Sequence, residues 1–385
     1  MRLYKSEKVV KPIEVHRPSL GKRELESVLD CLIEDRLGSG EVTRRFERQF
    51  ANLFQYRHSL AVNSLTAAGH LSMMGLGMRP GDHLILSAVA PLALLDAGRY
   101  LGAEIHLLDL DRRSFHPATE SLTACVEQIK ARQTAASVNE ANEPESTTAI
   151  GTGIFFVLDH SYGSPWPLDV AVLREQGVKI IECITALAGV TDATTGDYLG
   201  KQGDVALCSL GEFDLITTGN GAMILHSDPR LQKKIGAMRY DNKERKPGQL
   251  AWDYRLEDFQ AAMGIHQLNR LGEMLERRRK IGRKYMETLR GSKHESFYRD
   301  PDHDTYLNYP VLFHRKYDEV ERYFKSLQIG VERACLNPLH HQVQAPRLEF
   351  PNAERFYHRA VTIPAYPALT ANNVERIAAS LRGFI

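Results

Sequence analysis

The sequence predicts an α/β protein: a large domain built on a mostly parallel central sheet, followed by a smaller C-terminal α+β domain. Three observations carry this expectation. Short apolar runs alternate with helical spacing from about residue 59 to residue 182, the pattern of βαβ units whose crossovers lay helices on the faces of a parallel sheet. A continuous helical pattern then runs from Leu256 to about Leu289. Beyond it the chain reads as strand, helix, strand and terminal helix. The division that follows is 1–255 for an N-terminal segment and the large domain, 256–289 for a long connecting helix and 290–385 for the small domain. At 385 residues and 43% hydrophobic composition, the chain has ample apolar material for both.

Residues 17–35 open with Ser19 as a capping residue and place Leu25, Val28, Leu29 and Leu32 at helical spacing. Residues 41–54 repeat the pattern with Phe46, Phe50 and Leu53. A strand from Ser59 to Val62 then enters Asn63-Ser64-Leu65-Thr66-Ala67-Ala68 and a helix. A strand-to-helix turn of small and hydroxyl residues is a candidate phosphate cup, because backbone N–H groups point outward at a helix start. Leu65 counts against it, since glycine usually keeps such an approach open, and an ordinary strand–helix connection is the competing reading. A turn at Arg79-Pro80-Gly81-Asp82 leads to a strand at Leu84–Leu86, a helix from Leu92 to Leu101 and a strand from Glu104 to Leu108.

Residues 133–152 are small, polar and acidic without apolar periodicity, and are expected to form a surface loop. A buried strand at Ile154–Leu158 runs into His160-Ser161-Tyr162-Gly163, followed by a helix around Leu168–Gln176 and a strand at Val178–Glu182. The apolar strand Val205–Cys208 ends at Ser209, turns at Gly211, and is expected to return as a second strand over Leu215–Gly221. The long helix carries Phe259, Met263, Ile265, Leu268 and Leu271 before the basic run Arg277-Arg278-Arg279-Lys280. With acidic residues interleaved and no aromatic company, that run is expected to be a solvated helix face. The last part supplies a strand at Asn308–Phe313, a helix at Tyr317–Leu327, a strand near Ile329 and a helix from about Ala371 to Leu381.

Composition narrows the function classes. A net charge of +1, from 49 basic and 48 acidic residues, gives no electrostatic case for nucleic acid or an anionic membrane. Five irregularly spaced cysteines make neither a disulfide framework nor a metal cluster. The N-terminal residues lack the apolar core of a signal peptide, and no run approaches the roughly 18 apolar residues of a membrane helix. A cytoplasmic protein is the expectation. His340-His341 with His314 and His358 offer imidazoles but no helical i, i+4 pair and no carboxylate motif, so no metal is expected there.

The stretch from Asp204 to Ala222 resembles the Schiff-base hairpin of the DegT/StrS-type sugar aminotransferases, enzymes of fold type I that use pyridoxal phosphate (PLP). Ser209 stands at the family's serine and Thr217-Thr218-Gly219-Asn220-Gly221-Ala222 at its glycine-rich run. The resemblance covers nearly the whole chain. Arg17-Pro18, Gly38-Ser39-Gly40, Phe46-Glu47, Gly81-Asp82, Leu110-Asp111 with Phe115, and His160-Ser161-Tyr162-Gly163 follow the family in order. So do Asp253-Tyr254-Arg255-Leu256 with Gln260-Ala261-Ala262, Pro338-Leu339-His340, Ala353-Glu354-Arg355 and Ile363-Pro364-Ala365-Tyr366-Pro367.

The resemblance implies a cofactor site whose key positions have changed. The lysine position is Asp214, which cannot form an imine. The pyridine carboxylate falls at Cys183 and the following motif glutamine at Ala186. The phosphate-cup glycine is Leu65, between Ser64 and Thr66, and the ring-stacking aromatic is Pro91. The asparagine that reaches a phosphate across the subunit interface is Asp253, which would bring an uncompensated negative charge there. The expectation is a family homologue without cofactor, or at least without covalently bound PLP, and inactive as a transaminase. It would act in nucleotide-sugar, surface-polysaccharide or secondary-metabolite biosynthesis. Its partners would be a second copy or an active relative, with a small-molecule or nucleotide-sugar ligand. One alternative is new PLP-independent chemistry in the same cavity, with His160 near Cys183 as a thiol–imidazole pair and Asp214 and Asp253 as further polar groups, although a buried, inert thiol is the favoured reading of Cys183. The other is a conventional PLP transaminase.

Overall fold

The protein is described from a computed structural model, which places residues 11–142, 152–191, 196–239, 248 and 250–384. Seven strands form the larger sheet: β1 (His58–Val62), β2 (His83–Ser87), β3 (Glu104–Leu108), β4 (Ile154–Asp159), β5 (Lys179–Cys183), β6 (Val205–Ser209) and β7 (Ala222–His226). Their order is β1-β7-β6-β5-β4-β2-β3. Only β7 runs against the rest: it pairs antiparallel with β1 and β6, while β2–β3, β2–β4, β4–β5 and β5–β6 are parallel. The expected return strand at 215–221 is therefore displaced to Ala222–His226, because Leu215–Gly221 forms an irregular connection. Five to six buried residues in a row in β2, β4 and β7 match the near-continuous apolar runs of a sheet covered on both faces.

The helices that cover this sheet are α1 (Lys22–Ile33), α2 (Glu41–Leu53), α3 (Leu65–Gly75), α4 (Leu92–Tyr100), α5 (Thr119–Asn142), α6 (Ala171–Glu175), α7 (Pro229–Met238) and the 32-residue α8 (Asp258–Leu289). Helix α5 corrects the loop expected at 133–152: residues 133–142 continue a helix whose buried Leu122, Val126 and Ile129 already hold it on the sheet, and 143–151 lie outside the described residues. Tertiary packing of the first turns thus carries a polar segment into the helix. Helix α1 is capped by Gly21 and Glu24, not by Ser19. The buried Glu24 carboxylate accepts from the Gly21 N–H and from Gln267 and Arg270 on α8 at 2.8–3.1 Å. Helix α2 has Gly40 at its start, with no side chain to cap it. Asp258 of α8 takes that role, accepting from the Gly40 and Thr43 N–H groups at 2.7 and 2.9 Å. Phe46 and Phe50 of α2 are buried, and Gly264 of α8 lets the Phe46 ring approach: a Cβ there would lie 2.4 Å from it.

The C-terminal part carries β8 (Tyr309–Leu312), β9 (Glu332–Arg333) and β10 (Ala360–Ile363) in an antiparallel sheet ordered β8-β10-β9. Around it lie α9 (Tyr317–Ser326), α10 (Leu339–Gln342), α11 (Pro351–Arg359) and α12 (Ala371–Gly383). The strand expected near Ile329 is β9, a few residues on, while Ile329 itself bridges Ile13, so the N-terminal segment packs on this part of the molecule. Asp109, just beyond β3, caps α11 by accepting from the Asn352 and Ala353 N–H groups at 3.0 and 2.8 Å.

Candidate functional site

The C-terminal ends of β1, β4, β5 and β6 open on one edge of the sheet, where loop residues from several strands converge. Asp159 ends β4 and is the sheet partner of Cys183, which ends β5. Both are buried, at 8% and 2% exposure, on the same face of the sheet. The Cys183 thiol lies beside the Asp159 carboxyl and 3.5 Å from Thr185 Oγ1. Burial, with the Asp159 charge beside it, pushes the thiol well above its ordinary range, and burial raises the Asp159 carboxyl as well. Ser161 Oγ donates to Asp159 at 2.5 Å. Thr185 Oγ1 also accepts from the Ser209 N–H at 2.8 Å, tying the β5 and β6 ends together.

His160 does not join this group. Its Nδ1 accepts from the Trp166 N–H at 3.0 Å, which leaves Nε2–H to donate to Glu182 at 2.9 Å. Successive residues of a strand face opposite sides, so a histidine bound to Glu182 is turned away from Cys183. Glu182 is fully buried and satisfied, since its other oxygen accepts from the Gln202 and Gly203 N–H groups at 2.6 and 2.7 Å. The thiol–imidazole pair, the less favoured reading beside a buried inert thiol, gives way to a structural His160–Glu182 pair.

Asp214 lies in the turn after β6. Its carboxylate accepts from the Gly211 N–H at 2.7 Å, with the Ser209 side chain beside it. Burial raises it, while Ser209, Gly211 and the charge of Arg278 oppose that rise. Arg278 comes from the basic run expected to be solvated. Four consecutive helical residues span more than a full turn, and this one falls on the buried face at 6% exposure, donating to the Ala365 carbonyl at 2.5 Å. Burial draws its guanidinium down to about 10. Next to Asp214, Phe213 stacks on His16 with ring centroids 5.0 Å apart.

At the end of β1, Ser64 caps α3 by accepting from the Ala67 N–H at 3.1 Å, with Leu65 and Thr66 half-buried in the first turn. Asp253 adjoins this helix start: its carbonyl accepts from Asn63 Nδ2 at 3.3 Å. Its carboxylate is held low by Arg255, which donates to both oxygens at 2.8 and 3.1 Å. The charge expected to stand uncompensated is therefore paired within its own tripeptide. Pro91 starts α4 as its cap residue. Ala186 sits in a short 3₁₀ turn, Thr185–Leu187, and its carbonyl accepts from Thr305 Oγ1 at 2.7 Å. Thr305 also excludes any side chain at Gly163 (φ +82°), where a Cβ would come within 1.8 Å of its hydroxyl.

The structure thus gathers Cys183, Ala186, Ser209 and Asp214 at the strand ends, and Ser64, Leu65, Thr66 and Asp253 at the α3 start. Asp159, Thr185 and Arg278 were not singled out from sequence. Asp159 stood in the open as the residue before His160, but only the β4–β5 register makes it a neighbour of Cys183. Among the four histidines weighed as metal ligands, His340 and His341 meet at Glu354, His340 donating at 2.8 Å, with His358 3.2 Å from its other oxygen. The carboxylate that sequence spacing did not reveal is thus supplied by α11. His314 stands apart, stacked on His294.

A mostly parallel sheet with one antiparallel strand, covered by helices and with its polar residues at the strand C-termini, defines a fold type I aminotransferase-like protein. The chain matches the DegT/DnrJ/EryC1/StrS aminotransferase family over residues 18–382 and belongs to it. It is 26% identical over 392 aligned positions to dTDP-4-dehydro-2,3,6-trideoxy-D-glucose 4-aminotransferase of Saccharopolyspora spinosa, covering 95% of each chain. It is 24% identical to the spore coat polysaccharide biosynthesis protein SpsC of Bacillus subtilis, covering 96% of each. Among solved structures, Spr1654 of Streptococcus pneumoniae in its PMP form aligns with a TM-score of 0.82 at 18% identity, over 97% of both chains. Among the described residues no helix is long and apolar enough to cross a membrane.

These relatives correct the expectation of no cofactor. The family is one of aminotransferases, and Spr1654 has been solved in both PLP and PMP forms. PLP, when bound, supplies an electron sink. The residues present fit such a group at two ends: the α3 start with its Ser64 cap suits a phosphate, and the buried Asp159 carboxyl suits a ring nitrogen. At the position that the resemblance gives to the lysine, Asp214 offers a carboxylate and no amine.

Proposed function

We propose that this chain is a sugar-aminotransferase homologue that does not itself turn over as a transaminase, and that serves nucleotide-sugar or polysaccharide biosynthesis as a dimeric binding subunit. The observation that carries the reading is Asp214: it stands where the resemblance puts the catalytic lysine, and its carboxylate already accepts from the Gly211 N–H at 2.7 Å, with the charge of Arg278 acting on it. Among the described residues the nearest lysine in sequence, Lys201, donates to Gln55 at 2.7 Å instead. The alternative of new chemistry at Cys183 loses support from the raised thiol and from the diversion of His160 to Glu182. Assembly is supported by α1, whose Leu25, Leu29 and Ile33 are 57%, 55% and 76% exposed in the isolated chain. An apolar helix face of that extent calls for a partner.

The test uses full-length protein with added PLP, an amino donor such as L-glutamate and a nucleotide-linked keto-sugar, following 2-oxoglutarate. No formation above the protein-free control is expected. Turnover at a rate ordinary for enzymes, about 1 s⁻¹ or more, would overturn the reading. Light scattering at micromolar concentration should give a dimer, and a monodisperse monomer that copurifies with no relative would remove the assembly half.

A further inference from the structure

Away from these strand ends, at the opposite end of β2 and β3, three side chains converge on one point. His83 begins β2, and Glu104 and His106 lie on β3, the edge strand. The parallel register sets His83 opposite Glu104 and Ile85 opposite His106. Alternation along each strand therefore puts all three side chains on one face. His83 Nδ1 is 3.0 Å from His106 Nε2 and 3.4 Å from a Glu104 oxygen, and His106 Nε2 is 3.6 Å from the other Glu104 oxygen.

We propose that His83, Glu104 and His106 form a zinc-class divalent metal site clamping the sheet edge. Ligands bound to Zn²⁺ at about 2.0–2.1 Å in tetrahedral arrangement stand about 3.3–3.4 Å apart, and the three separations here scatter around that value. Hydrogen bonding alone satisfies the cluster poorly. The two facing imidazole nitrogens share at most one proton when both rings are neutral, whereas a cation accepts a lone pair from each. Imidazole and carboxylate donors suit Zn²⁺ and its neighbours in the first transition series. His83 is buried at 5% exposure and anchors the site, while the Glu104 side chain is 53% exposed, so a fourth position is open to water. Arg132 of α5 is the cation that bears on His106, and it opposes metal binding without occupying the ligand positions.

The test is calorimetric titration of tag-free, chelator-treated full-length protein with Zn²⁺, backed by the visible spectrum of the Co²⁺-substituted protein. One equivalent per chain is expected, with a four-coordinate cobalt spectrum. His106→Ala and Glu104→Gln should each weaken binding by roughly tenfold or more, with circular dichroism checking their folding. Both side chains are less buried than His83, and the exposed Glu104 keeps the test available should His106→Ala misfold. His341→Ala, which disrupts the separate cluster at Glu354, should leave the titration unchanged. Absence of binding in the unaltered protein, wild-type affinity in a folded Glu104→Gln variant, or loss on His341→Ala would each overturn the assignment.

Discussion

Placing a lysine where the resemblance puts the family's should harm this protein. In Asp214→Lys the Gly211 N–H, held at 2.7 Å, loses its carboxylate acceptor. Hydrogen bonds to a charged group contribute about 1.5–3 kcal/mol each. The new ammonium would also face the buried Arg278 guanidinium, a like-charge contact where the native pair is attractive. A loss of about 3–5 kcal/mol follows. Unfolding entropy of about 2.1 cal/mol/K per residue gives about 0.8 kcal/mol/K for 385 residues, so the melting temperature should fall by about 4–6 °C. Calorimetry or circular dichroism reads this directly. Adding Arg278→Met should relieve part of the effect of Asp214→Lys, visible as a coupling of about 1 kcal/mol in a double-mutant cycle. Transamination should stay absent in the single variant, because residues acting as a unit are strongly non-additive and Pro91 still stands where the resemblance puts the ring-stacking aromatic. A variant that melts within 1 °C of the parent or transaminates would refute the claim that the turn is built around the carboxylate.

Other consequences are separable. Cys183 should resist a thiol reagent in the native protein and react only on unfolding, with half-buried Cys125 modified first, because burial keeps the Cys183 thiol protonated. Glu182→Ala leaves two backbone N–H groups and His160 unpaired in the core and should cost about 3–5 kcal/mol, with Glu182→Gln milder because its amide oxygen still accepts. Burial pushes the Asp304 carboxyl up to about 7, against about 3.9 in an unfolded chain. The folded state then holds the extra proton between those values, so stability from this group should fall as pH rises from about 4 to about 7, and Asp304→Asn should flatten that slope in melting curves.

The sequence alone determined the fold class and the family, because apolar periodicity and motif order are properties of neighbours along the chain. It placed Ser64, Cys183, Ser209 and Asp214 beside strand ends for the same reason: each lies within a few residues of an apolar run. Contacts across the sheet were decided by tertiary structure. Whether Asp159 meets Cys183 depends on the β4–β5 register, and His160 joins Glu182 rather than Cys183 because adjacent strand residues face opposite sides. The basic run of α8 looks uniform in sequence, yet helical rotation buries Arg278 while Lys280 stays exposed. Of the cluster of His83, Glu104 and His106, only the two-residue spacing of Glu104 and His106 is visible in sequence. Residues 83 and 104 are joined only by a parallel crossover, and such a crossover brings together strands whose separation in sequence is set by the helix between them.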